Sequence, residues 1–148
     1  VSNIYGKEAS GSMVYFYNGK PDKSNYRRFR IKEVKDIDDY AMIREIIRRR
    51  YKRLKQEQKR FPDLVIIDGG RGHLHVAYEE LVKLNLSRIP IIAIAKAQEK
   101  IYTRASKTPL DINRDSQLVY FVQQIRDEAH RFALKYHHKL REKSFYGG

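Results

Sequence analysis

Two short apolar runs with a helix-patterned stretch between them constrain this chain more than any other feature. Leu64–Ile67 (LVII) and Ile89–Ala95 (IPIIAIA) carry no charged side chain. That is the composition of strands covered on both faces of a sheet. From Gly72 onward, Leu74, Ala77, Tyr78 and Leu81 recur at helical spacing. The order strand, helix, strand implies a parallel pair joined by a right-handed crossover. The fold class expected is α/β.

The flanks extend that frame. SMVYFY, Ser12–Tyr17, is rich in β-branched and aromatic residues, and Asn18-Gly19 is a hairpin turn signal. Tyr26–Val34 alternates Phe29 and Ile31 against Arg28, Arg30 and Lys32, a strand with one wet face. Pro21 belongs near the turn or on an edge. A helix follows, capped by Asp36 or Asp38, with Tyr40, Ile43, Ile47, Tyr51 and Leu54 on its apolar stripe and Pro62 ending it. Residues 96–114 read as irregular or as a short hairpin. From Asp115, a good N-cap, Leu118, Phe121, Val122, Ile125, Ala129, Phe132, Ala133, Tyr136 and Leu140 hold helical spacing to about Arg141. The architecture expected is a mixed sheet, antiparallel strands first and parallel strands after, with helices packed on it. At 148 residues one domain is expected, residues 1–148.

Charge narrows the partner. Lys plus Arg number 31 against 18 Asp plus Glu, a net charge of +13. Such a footprint fits an anionic polymer, most simply nucleic acid. The helix around Ile47 is especially basic, and Arg48 and Arg49 are candidate phosphate contacts. With no cysteine, disulfides and cysteine-based zinc sites are excluded, and a reducing, cytoplasmic setting fits. No apolar run approaches the roughly 18 residues of a membrane span, so no membrane partner is expected. The start, VSNIYGKEAS, is no signal peptide and lacks Met, which suggests a chain that begins inside a longer protein.

Chemistry concentrates at two places. Asp68 closes the first apolar run and is followed by Gly69 and Gly70. Asp is disfavoured within strands, and open α/β sheets bind ligands beyond the carboxyl ends of their strands. As a phosphate cradle the stretch lacks the Walker spacing and its lysine. A metal-binding carboxylate and an ordinary strand-to-helix turn both stand. On the last helix, His130 lies beside the apolar face on a stripe with Arg126, His137 and Arg141. A histidine there can ligate metal, move protons near neutral pH, or simply sit at the boundary of the core. The pairs His73/His75 and His137/His138 diverge and are not read as zinc sites. No nucleophilic serine or cysteine arrangement supports covalent catalysis.

Longer blocks carry a family resemblance. IIDGGRGHL, IPIIAIAKAQEKIY, RDSQLVYFVQQIRDEAHRFAL and HHKLREK resemble the C-terminal nuclease half of the UvrC family. GKPDKSNYRRFRIK and DIDDYAMIREIIRRRY are similar to the same domain's earlier blocks. The resemblance covers nearly the whole chain in order. It implies a ribonuclease-H-like fold and incision of the DNA backbone on the 5′ side of a lesion in nucleotide excision repair. It also implies a divalent metal, manganese or magnesium, held by two aspartates and a histidine. Asp68 and His130 match two of these positions. The third aspartate is expected before Val1, so the first strand is expected to be shortened and the activity of this stretch by itself reduced.

By the same resemblance, the implied partners are damaged double-stranded DNA and a UvrB complex in the full-length protein. An N-terminal nuclease domain, a UvrB-binding segment and a helix-hairpin-helix domain would lie outside this chain, with residues 142–148 starting the linker to the last of these. Arg71, Lys96 and Arg126 are candidates to hold phosphates. Two alternatives remain: a non-catalytic nucleic-acid-binding or docking module, and another ribonuclease-H-like endonuclease such as the endonuclease V group.

Overall fold

The computed structural model describes residues 2–4, 10–30, 39–95, 100–111 and 117–146. The chain divides into two compact units: Val1–Lys32 with Arg114–Gly148, and Glu33–Asn113.

In the first unit β1 (Ser2–Ile4), β2 (Ser10–Met13) and β5 (Arg27–Arg30) form an antiparallel sheet in the order β1-β2-β5. Ser2 faces Ser12, and Gly11 faces Phe29. The expected single strand over Ser12–Tyr17 is two, because Val14 and Tyr15 break the run. β3 (Phe16–Tyr17) and β4 (Lys20–Pro21) form a separate hairpin. Its turn residues Asn18 and Gly19 have φ of 52° and 78°, the backbone a two-residue turn of primed type needs.

The helix α3 (Gln117–Tyr146) packs on β1 and β2. Val122, Ala129, Phe132 and Ala133 are buried at helical spacing, with Met13, Tyr26 and Phe29 as further core residues. The Tyr26 and Phe132 rings meet edge to face at 5.0 Å, and the Arg28 guanidinium lies 4.4 Å from the Phe132 ring centre. Phe121 is more exposed than its place on the apolar stripe predicts; its ring meets Phe16 of the hairpin at 6.0 Å.

The second unit holds α1 (Asp39–Gln56), β6 (Val65–Asp68), α2 (Arg71–Lys83), β7 (Ile91–Ala95), β8 (Lys100–Thr103) and β9 (Leu110–Asp111). The sheet order is β6-β7-β8-β9. β6 and β7 are parallel, with Val65 opposite Ile91 and Asp68 opposite Ile94. β8 and β9 join antiparallel and form the hairpin that residues 96–114 allowed. Met42, Ile46, Ile47, Ile67, Ala77, Leu81, Ala93 and Ile94 are fully enclosed. Both helices bury one face, as their periodicity requires. Leu64, expected in the first strand, precedes it and is exposed.

The end of α1 differs from expectation. It stops at Gln56, well before Pro62. Gln58 takes a left-handed conformation (φ 54°), its N–H donates to the Lys55 carbonyl, and the Lys59 N–H donates to the Leu54 carbonyl at 3.0 Å. This is a Schellman ending without glycine, so no glycine marks it in the sequence. α2 ends the same way through Asn85 (φ 61°), with the Leu86 N–H bonded to the Leu81 carbonyl. The expected caps Asp36, Asp38 and Asp115, and the strand residues Ile31–Val34, lie outside the described residues.

Candidate functional site

Asp68 is the last residue of β6, and its side chain is exposed beyond the strand's carboxyl end. The Gly69 N–H donates to the Ile94 carbonyl at 3.1 Å, so the chain leaves the sheet only after Asp68 is registered on β7. A Cβ added at Gly69 would fall 2.5 Å from Cγ of His73. Only glycine fits there. The turn reading of the two glycines and the site reading of Asp68 are therefore compatible: the glycines make the turn, and the turn presents the carboxylate.

The cation Arg71 flanks this end of the sheet; Arg104 follows Thr103, which pairs with Ile92 toward the other end. The Arg71 guanidinium lies 5.3 Å from the Tyr102 ring centre, and its enclosed Nη2 has no hydrogen-bond partner. Arg104 stacks at 3.2 Å over the Tyr78 ring. Stacking on an aromatic face leaves the N–H edges of a guanidinium available to an anion.

His73, set aside in the sequence as half of a non-zinc pair, is tied on both ring nitrogens. Nδ1 accepts the Gly70 N–H at 3.0 Å, and Nε2 lies 2.5 Å from Oδ2 of Asp39 in the first turn of α1. The Tyr40 ring stands edge-on to it at 4.9 Å. The signal in the sequence was a residue with a side-chain acceptor three positions after the N-cap of α2, where a capping box places Glu or Gln. His75 pairs instead with Glu79 on the outer face of α2.

In the first unit, His130 is exposed on α3. Arg126, one turn earlier, has an enclosed Nη2 without a hydrogen-bond partner. Asp68 and Arg71 thus share one strand-to-helix turn, and Arg126 and His130 share one stretch of α3. Lys96 lies outside the described residues, as do the side chains of His137 and Arg141.

The basic helix is less open than its composition predicts. Arg48 Nη1 lies 3.4 Å from the buried Glu80, Arg49 Nη1 lies 3.0 Å from the buried Glu45, and Arg44 meets Glu79 at 2.9 Å. The Arg44 guanidinium holds the Glu79 carboxyl below its usual range. Arg48 and Arg49, read as phosphate contacts, each pair with a buried carboxylate, and Lys83 Nζ also lies 3.6 Å from Glu80.

Asp68 is a hard oxygen donor of the kind magnesium and manganese take. Among the described residues no three His, Cys, Asp or Glu side chains gather into a cluster that could hold a metal. Asp68 is therefore a single donor among the described residues rather than part of a cluster. No helix among the described residues is long and apolar enough to cross a membrane.

An antiparallel β-hairpin sheet, a parallel βαβ unit and a carboxylate at the strand end define a ribonuclease-H-like α/β domain. The family model of the UvrC RNase H endonuclease domain matches residues 1–134, and the chain belongs to that family. It is 53% identical over 144 residues to UvrABC system protein C of Methanosarcina acetivorans, covering 97% of this chain and 28% of that protein. It is 52% identical over 143 residues to the protein of the same name from Methanococcus maripaludis, covering 97% and 27%. A third, from Dehalococcoides mccartyi, is 47% identical over 149 residues, covering 97% and 24%. The chain spans about a quarter of the length of these curated relatives.

Proposed function

We propose that this chain is the metal-dependent nuclease domain that cuts the DNA backbone on the 5′ side of a lesion during nucleotide excision repair. It would act in the cytoplasm within a full-length protein, on damaged double-stranded DNA delivered with a UvrB complex. The observation that carries the reading is Asp68: a carboxylate within the stretch that the family model covers, exposed where β6 leaves the sheet.

The reaction is hydrolysis of a phosphodiester. A water oxygen bonds to phosphorus as one P–O bond to sugar breaks, and the departing oxygen takes a proton. When bound, a manganese or magnesium ion supplies Lewis acidity and charge neutralisation. Asp68 would be one of its ligands. His130 would either ligate the ion or take the proton from the attacking water. An imidazole among the donors suits manganese better than magnesium. Arg71 and Arg126 would hold phosphate oxygens through the open edges of their guanidinium groups. Lys96 is a further phosphate-holding candidate by position.

The test is a nicking assay on lesion-containing DNA with full-length protein. Asp68→Ala and His130→Ala should each abolish 5′ incision while circular dichroism shows the fold retained. Incision at the unmodified rate by either variant overturns the assignment.

A further inference from the structure

We infer that His73 and Asp39 form a positioning clasp that fixes the turn after Asp68 and thereby aims that carboxylate. The inference rests on the proposed nuclease reading and deepens it.

The geometry fixes the direction of each bond. The Gly70 N–H donates to Nδ1 of His73, so Nδ1 carries no proton. The ring proton is then on Nε2, which donates to the Asp39 carboxylate. One imidazole therefore bridges two backbone elements: the N-terminus of α2 and the first turn of α1. Gly70 has no side chain to cap α2, so its amide depends on a residue further along. A cap alone needs only Nδ1. The second bond, to Asp39, turns the cap into a tether between helices.

The surroundings are shaped to this ring. The space a Cβ at Gly69 would occupy is taken by His73 itself. Tyr40, next to Asp39, packs its ring edge-on against the imidazole and lays its hydroxyl over Gly72, where a Cβ would collide with it. The strand end, the turn and the helix start are thus packed against one side chain. Asp68 lies just before that turn. A misplacement of about 1 Å in a reacting group can cost about a hundredfold in rate, so a tether here acts on chemistry without touching substrate.

The experiment uses full-length protein with four variants: His73→Leu, which removes both nitrogens, His73→Gln, whose amide offers an acceptor and a donor, Asp39→Leu, and Asp39→Leu combined with His73→Leu. Two readouts are taken: steady-state incision, and hydrogen exchange of the peptide spanning Asp68–Leu74. His73→Leu should lower kcat for incision by about tenfold or more with KM for DNA nearly unchanged, the pattern of a lost transition-state contribution. His73→Gln should recover most of that loss. Asp39→Leu combined with His73→Leu should be no worse than His73→Leu alone, because the two act as a unit. The amide of Gly70 should exchange faster in His73→Leu and not in His73→Gln.

Wild-type kcat in His73→Leu, a loss that His73→Gln does not restore, or an unchanged Gly70 amide would each overturn the clasp. Normal incision by Asp68→Ala overturns the nuclease reading instead. The exchange data then still decide whether the tether exists.

Discussion

The Tyr26 phenol donates a hydrogen bond of 3.0 Å to Glu128, joining residues 102 positions apart in the chain. Arg131 closes the same carboxylate with two bonds of 2.6 and 2.8 Å. Burial, reinforced by the Glu128 bond, pushes the Tyr26 phenol up to about 12. The Arg131 bond, helped by Tyr26, holds the Glu128 carboxyl below its usual range.

The signs set a pH window. Tyr26 keeps its proton more tightly when folded, so its contribution is complete below pH 10, its unperturbed value, and is lost as pH rises toward about 12. Glu128 loses its proton more readily when folded, so its contribution is present above the ordinary value of 4.5 and is lost as pH falls. Tyr26→Phe should lower stability by about 1 kcal/mol. It should also flatten the alkaline limb of a denaturation midpoint measured against pH.

Gly69→Ala and Gly72→Ala should differ in cost. At Gly69 a Cβ meets the root of the His73 side chain, so backbone must shift. At Gly72 it meets the ring end of the exposed Tyr40, which can swing aside. Gly69→Ala should destabilise by about 1–3 kcal/mol, the range for forced overpacking, and Gly72→Ala by less. Thermal unfolding of the two variants checks the order.

Arg48 and Arg71 separate two uses of a guanidinium. Arg48 pairs with Glu80, which is 3% exposed, so Arg48→Ala leaves a buried carboxylate short of a partner. It should cost about 1–3 kcal/mol in stability and leave the salt dependence of DNA binding nearly unchanged. Arg71→Ala should do the reverse. Fold stability should change little, while the slope of log affinity against log salt should fall by about 0.9 for one lost phosphate contact on duplex DNA. Binding isotherms at several salt concentrations, beside melting curves, distinguish them.

Gln58→Gly should stabilise the protein. Gln58 sits at φ 54° past the end of α1, where a Cβ is strained and glycine is not. The gain should be about 0.5–1 kcal/mol. Asn85→Gly at the matching place after α2 should gain less, because Asn tolerates the left-handed region better. Denaturant midpoints measure both.

The elements legible in the sequence were those with a strong period or a diagnostic residue. The apolar runs became β6 and β7, the 3.6-residue pattern became α3, and Asn18-Gly19 became the hairpin turn. β8 was legible only as a possible hairpin arm, because Lys100–Thr103 is short and none of its residues is fully buried or fully exposed. The end of α1 was misplaced because Gln58 adopts a conformation its residue type does not announce. Buried Glu45 and Glu80 were hidden among charged positions, since periodicity assigns charges to water and cannot see an arginine arriving from another turn or helix. Asp68 was legible because a carboxylate ending an apolar strand is chemically conspicuous. His73 was not, because its importance lies in two hydrogen bonds, one of them to a residue 34 positions away.

The first unit is assembled from the two ends of the sequence, while the second is one uninterrupted stretch between them. During synthesis β1, β2 and β5 leave the ribosome before the second unit, but α3, which packs on β1 and β2, leaves after it. The βαβ unit bearing Asp68 has all of its partners in hand first and can close while translation continues. The nascent antiparallel strands must wait, with one face of their sheet uncovered, for the helix that carries His130.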